Sequence, residues 1–89
     1  MARYQLAEVE GASLGQAYAS GDVLFDLGIR YSTGRSVPAD LVSAHKWFNL
    51  AAMRGKSGAI GYRREIAAEM SEAEIAVAQR AARDWLARH

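Results

Sequence analysis

The sequence predicts an all-α protein built from antiparallel helical hairpins. The chain is rich in alanine, which has the highest intrinsic helix propensity, and it contains a single proline. Apolar residues recur three and four positions apart over four stretches, and only a few residues separate one stretch from the next. Because short connections place consecutive helices side by side, we expect about four main helices in antiparallel hairpins.

Length and composition limit the number of domains and the expected cellular location of the protein. The 89 residues give room for one domain, with a stability on the order of 5–10 kcal/mol. A hydrophobic content of 51% and a charged content of 24% are typical of a globular chain, and the net charge of +1 gives no strong attraction to nucleic acid or membrane. The absence of cysteine excludes disulfides, and no apolar stretch approaches the roughly 18 residues that span a bilayer. We therefore expect a cytoplasmic protein without a membrane segment.

The N-terminal part has the weakest pattern. Residues 1–12 are expected to form a segment that is either flexible or docked on the domain. A single helical domain follows over residues 13–89. Ser13 is positioned to cap a short additional helix that contains Leu14, Ala17 and Tyr18 and ends at Gly21.

The next two helices form the most regular part of the pattern. The first is predicted over residues 22–33 and ends at Gly34; the second begins after Asp40, a good N-cap, and ends at Gly55. One face of the first helix carries Leu24, Leu27, Gly28 and Tyr31. The apolar stripe of the second helix contains Ala44, Trp47, Phe48, Ala51 and Ala52.

Two further helices are predicted in the C-terminal part, as a terminal hairpin over residues 57–88. The third helix spans about residues 58–70 with Ser57 as its cap, and its stripe contains Ala59, Tyr62, Ile66 and Met70. The fourth spans about residues 72–88, and its start has the capping-box spacing of Ser71 and Glu74. Its buried side is expected to carry Ile75, Ala78, Ala82, Trp85 and Leu86.

An internal sequence similarity supports a repeated unit. The stretch from Ala44 to Phe48 and the stretch from Ala82 to Leu86 share alanine, two other residues, tryptophan and a large apolar residue. Their offset of 38 residues is within the range of helical repeats.

Residues 21–55 resemble one unit of the Sel-one-like repeat family, which is related to the tetratricopeptide repeat. The matching residues are Leu27, Gly28, Tyr31, Gly34, Val37, Pro38, Asp40, Ala44, Trp47, Phe48, Ala51, Ala52 and Gly55. The resemblance implies the hairpins of a tetratricopeptide-like α-α superhelix and work as a protein-binding scaffold or adaptor. A second Leu-Gly pair is missing near Arg63 and Arg64, so the C-terminal part resembles a degenerate terminal hairpin.

Catalysis and metal binding have little support in the sequence. His45 and His89 are the only histidines, and neither belongs to a recognisable nucleophile–histidine–acid set or to a histidine pair with metal-ligand spacing. We expect His45 to lie on the polar, solvated side of its helix. The expectation is a protein that is not an enzyme and holds no cofactor or metal.

Nucleic-acid binding is a weaker alternative. The candidate arginines lie in the C-terminal half and are Arg63, Arg64, Arg80, Arg83 and Arg88. Acidic residues are interspersed among them, which is more typical of an ordinary salt-bridged surface.

Protein binding is the leading prediction. Leu24 and Phe25 are adjacent, so one helix cannot bury both on the same narrow stripe. Either both are covered within the monomer, or one of them contacts the N-terminal segment, a partner or a second copy of the chain. The candidate binding residues are Leu24, Phe25 and Arg30. A self-associating structural subunit of a larger assembly is the other alternative.

Overall fold

Four α-helices make up the part of the chain that the structure, a computed structural model, describes: residues 20–89. They are α1 (Gly21–Thr33), α2 (Leu41–Met53), α3 (Ala59–Ala67) and α4 (Glu72–Arg88). No strand occurs among these residues. The all-α prediction is confirmed, whereas the expected short helix near Ser13 and the segment 1–12 lie outside the described residues.

Helices α1 and α2 form an antiparallel hairpin. The start of α1 lies beside the end of α2, because a Cβ atom added at Gly21 would come within 3.1 Å of the Lys56 Cβ. At the other end, the Asp40 amide donates to the Tyr31 carbonyl at 2.9 Å. Gly34 ends α1 in the left-handed conformation, at a φ of 75°, and its amide donates to the Arg30 carbonyl. This turn lets the chain reverse into α2.

Helix α2 is the central element of the domain. Helices α1, α3 and α4 each pack against it, and α3 and α4 share at most a marginal contact with each other. The sequence predicts a terminal hairpin of the last two helices, but in the structure each of them obtains its main packing surface from α2. Buried residues therefore surround most of α2: Ala44, His45, Trp47, Phe48, Leu50 and Ala51.

The core consists of two adjoining clusters. The larger one holds buried residues from all four helices: Leu24, Trp47, Leu50, Ala51, Ala59, Ala82 and Trp85. The smaller one contains Ala44, Phe48 and Ile66. Trp47 and Trp85 are the tryptophans of the two similar stretches. Their indoles meet edge to face, with 5.9 Å between the ring centroids. The two similar stretches thus contact each other, one on α2 and the other on α4.

Most helix ends are determined by capping residues close to them in sequence. The Ser71 hydroxyl accepts from the Glu74 amide, and the Glu74 carboxylate accepts from the Ser71 amide, so the predicted capping box is confirmed. Gly55 has the left-handed φ of 82° expected after α2. The predicted Ser57 cap of α3 is wrong. Gly58 is the N-cap residue, in the left-handed conformation, and α3 begins without a side-chain cap.

We predict that Asp40→Ala lowers the free energy of unfolding by about 1 kcal/mol. The Asp40 carboxylate accepts from the amides of Val42 and Ser43 at 3.1 and 3.2 Å, and from the Ser43 hydroxyl at 2.9 Å. Without it, the first amides of the central helix lose their side-chain acceptor. Urea denaturation followed by circular dichroism measures the loss, and Asp40→Asn is the control that should retain most of the stability.

Candidate protein-binding face

Three aromatic rings from three helices contact one another in a single cluster. The Phe25 and Phe48 centroids are 5.5 Å apart, and the Phe25 and Tyr62 centroids are 5.2 Å apart with the rings edge to face. Tyr62 also stacks on Phe48 at 5.4 Å. Exposure increases outward through the cluster, since Phe48 is fully buried, Phe25 is half-buried and Tyr62 is 44% exposed.

A pair of opposite charges lies at the margin of this cluster. The Lys56 ammonium is 5.4 Å from the Phe25 ring centroid and 2.9 Å from a carboxylate oxygen of Asp22. A surface ion pair of this kind contributes only about 0–1 kcal/mol to stability. It does place one cation and one anion beside the half-buried Phe25 ring. We call Asp22, Phe25, Lys56 and Tyr62 the Phe25–Tyr62 patch.

Comparison with protein families, with curated proteins and with solved structures finds no match to this chain. The Sel-one-like resemblance therefore remains a prediction from the motif residues.

Leu24 is not a surface residue, which corrects the first of the three binding candidates. Its side chain is fully buried and belongs to the larger core cluster. Phe25 also packs against the core but keeps part of its ring accessible. The adjacent pair is thus divided between the core and its margin, and Phe25 is the residue that reaches the surface.

Arg30 does not lie beside Phe25. Five residues along a helix correspond to a rotation of about 140°, so Arg30 lies on a different side of α1. Its guanidinium donates to the Asp26 carboxylate at 2.8 Å, one turn earlier in the same helix. Of the three candidates, only Phe25 contributes to the patch.

Tyr62 both packs and remains exposed. The sequence assigns it to the apolar stripe of α3, and its stacking on Phe48 agrees with that assignment. The same ring is also the most exposed of the three aromatic rings. Sequence reasoning missed the patch because its residues come from α1, α3 and the connection before α3, and only the tertiary packing brings them together.

His45 is buried, which corrects the expectation of a solvated histidine. It is 4% exposed and lies at the edge of the predicted apolar stripe, on nearly the same side of α2 as Ala52. Burial, reinforced by the Arg63 guanidinium, lowers its pKa below the ordinary value of 6.5. The sequence signal that could have predicted this burial is the presence of apolar residues on several sides of α2, which indicates a central helix.

The C-terminal arginines do not form one basic surface in the described structure. Arg63 is half-buried and donates to the Asn49 side chain at 2.7 Å, so it links α3 to α2. The exposed Arg64 lies on α3, and Arg80, Arg83 and Arg88 lie on α4, which shares at most a marginal contact with α3. This arrangement gives little support to the nucleic-acid alternative.

Among residues 20–89, no group of three or more histidine, cysteine or acidic side chains is placed to hold a metal ion. None of the four helices combines the length and the apolar character needed to cross a bilayer.

Proposed function

We propose that this chain is a small non-catalytic protein-binding module, and that its partner contacts the Phe25–Tyr62 patch. The observation that carries the proposal is the 44% exposure of a tyrosine whose ring is held in place by stacking on the fully buried Phe48. Such a side chain offers a large amphipathic surface to a partner. The resemblance to a family of adaptor repeats and the cysteine-free composition support an adaptor that works in the cytoplasm.

Preorganisation favours a protein partner at this patch. Ordering a flexible side chain at an interface costs about 0.5–1.5 kcal/mol, and the contacts of Tyr62 with Phe25 and Phe48 already restrict its ring. Tyrosine is also enriched among the residues that dominate interface energies. The Lys56–Asp22 pair adds a polar margin that can fix the orientation of the partner.

We predict that Tyr62→Glu abolishes partner capture while the domain stays folded. The tagged protein is used as bait in extract of its own cells, and bound proteins are quantified by mass spectrometry. Loss of an aromatic residue that dominates binding should reduce recovery of the specific partner by about tenfold or more. Circular dichroism verifies that the variant keeps its helices.

Val77→Glu is the matched control for this experiment. Val77 is a helical residue with nearly the same exposure, 46%, but it lies on α4 outside the patch. The proposal requires Val77→Glu to retain the partner that Tyr62→Glu loses. Equal recovery with both variants, or equal loss with both, would show that the patch does not select the partner.

Self-association is the alternative supported by a specific observation. Within residues 20–89, three other large apolar residues are at least 46% exposed: Met53, Ile60 and Val77. A second copy of the chain could cover such residues. Light scattering after size exclusion, over a range of protein concentrations, separates the two functions. A constant monomer mass excludes the structural-subunit alternative, whereas a dimer retained by Tyr62→Glu and lost by Val77→Glu would favour it.

A further inference from the structure

His45 is the one buried polar side chain among residues 20–89. Its Nδ1 atom is also without a hydrogen-bond partner in that part of the chain. Buried polar atoms nearly always have a hydrogen-bond partner. An unpaired ring nitrogen in the packed region around α2 is therefore unusual in a protein core. A neutral imidazole tolerates this environment, but a charged one would need a partner that the surroundings do not provide.

Arg63 makes the surroundings of His45 more unfavourable for a positive charge. It lies on α3, and its guanidinium donates to Asn49, which is one turn after His45 on α2. The field of this guanidinium acts on the His45 ring. Arg63 therefore both links the two helices and contributes a positive charge that disfavours protonation of His45.

Among residues 20–89, no carboxylate offsets the effect of Arg63 on the pKa of His45. On α2 itself, the neighbouring Lys46 is also positive, and burial lowers its pKa. The other charged groups on the helices packed against α2 are Asp22, Asp26 and Arg30 on α1, Arg64 and Glu65 on α3, and Glu72, Glu74, Arg80, Arg83, Asp84 and Arg88 on α4. None of these groups is among the causes that shift the pKa of His45, which are burial first and Arg63 second.

We propose that His45 makes the packing of α3 on α2 sensitive to acid. Protonation would place a second positive charge beside Arg63 in a buried site, and separation of α3 from α2 relieves both the repulsion and the burial of the charge. Tyr62 is adjacent to Arg63 on α3, so the same opening removes Tyr62 from Phe48 and dismantles the Phe25–Tyr62 patch. The acid response itself does not depend on whether the patch binds a protein.

The direction of the pH dependence follows from the lowered pKa. Above the ordinary pKa of 6.5, His45 is neutral in both the folded and the unfolded chain, and the packing is fully stable. As the pH falls below that value, the unfolded or opened chain takes up a proton before the folded chain does. Stability is therefore lost as the pH falls from 6.5 toward the lower pKa of the folded state.

The first test compares urea denaturation midpoints between about pH 7.5 and about pH 5, a window in which histidines titrate and most carboxylates do not. The midpoint of the unaltered protein should fall across this window. His45→Gln should remove at least about half of that fall, because glutamine cannot take up the proton. His89→Gln is measured in parallel, so that the contribution of the other histidine, whose ring stacks on Trp85 at 4.6 Å, is determined separately. A His45→Gln variant with the full pH dependence would overturn the proposal.

The second test locates the opening and does not depend on replacing His45. Hydrogen exchange by mass spectrometry, corrected for the intrinsic effect of pH, should show earlier loss of protection in α3 than in α4 as the pH is lowered. Arg63→Gln removes the opposing charge and should reduce the pH dependence while the histidine is still present. Simultaneous loss of protection in all helices, or a pH dependence unaffected by Arg63→Gln, would contradict a local response at the α2–α3 contact.

Discussion

Phe48→Ala is expected to lower the free energy of unfolding by about 3–5 kcal/mol, the range for removal of a buried phenylalanine. The Phe48 side chain is fully buried on the central helix. Its ring contacts Phe25 from α1 and Tyr62 from α3. The substitution therefore leaves a cavity where three helices meet. A domain of this size has a stability on the order of 5–10 kcal/mol, so the variant should be close to unfolding.

Urea denaturation measures this loss, and Met53→Ala provides a control on the same helix. Met53 is 57% exposed, so its truncation should change the stability by no more than about 0.5 kcal/mol. A loss below about 1.5 kcal/mol for Phe48→Ala would mean that the neighbouring rings collapse into the space. That result would contradict the rigid aromatic cluster on which the binding proposal depends.

The helix ends could be predicted largely from sequence because they depend on residues three or four positions apart. Ser71 and Glu74 specify the start of α4, and Asp40 specifies the start of α2. Helix α3 is the exception. Ser57 is a good capping residue by type, but the turn before α3 passes through a left-handed Gly58 at a φ of 87°, and this glycine becomes the N-cap. Two possible caps in adjacent positions cannot be separated by residue preference alone.

The arrangement around α2 could not be predicted in the same way. A stripe of apolar residues predicts one buried face, but α2 meets three helices and buries residues on several sides. Leu50 lies outside the predicted stripe and His45 lies at its edge, and both are nevertheless buried. Their burial depends on where α3 and α4 pack, which is set by contacts distant in sequence. For the same reason the sequence identified Phe25 but not its association with Tyr62 and Lys56.

Gly28→Ala is expected to lower the free energy of unfolding by about 1–3 kcal/mol, although alanine is the better helix former. A Cβ atom at this position would lie 2.5 Å from both Cδ1 and Cε1 of Phe48 and 2.9 Å from its Cγ. The Phe48 ring has little freedom to move away, because it is fully buried and packed against Phe25 and Tyr62. Gly28 thus sets the close approach of α1 to α2, and the added methyl group must separate them.

Gly61→Ala makes the same chemical change in a different environment. Gly61 is also inside a helix, but a Cβ atom there would meet nothing within 4 Å. Alanine at this position should raise the stability by up to about 1 kcal/mol through its helix propensity alone. The two variants are therefore expected to change the urea midpoint in opposite directions. A stabilised Gly28→Ala would show that α1 and α2 do not need the close approach, and that the ring of Phe48 can yield. In that case Tyr62 would lack the fixed support that the binding proposal requires.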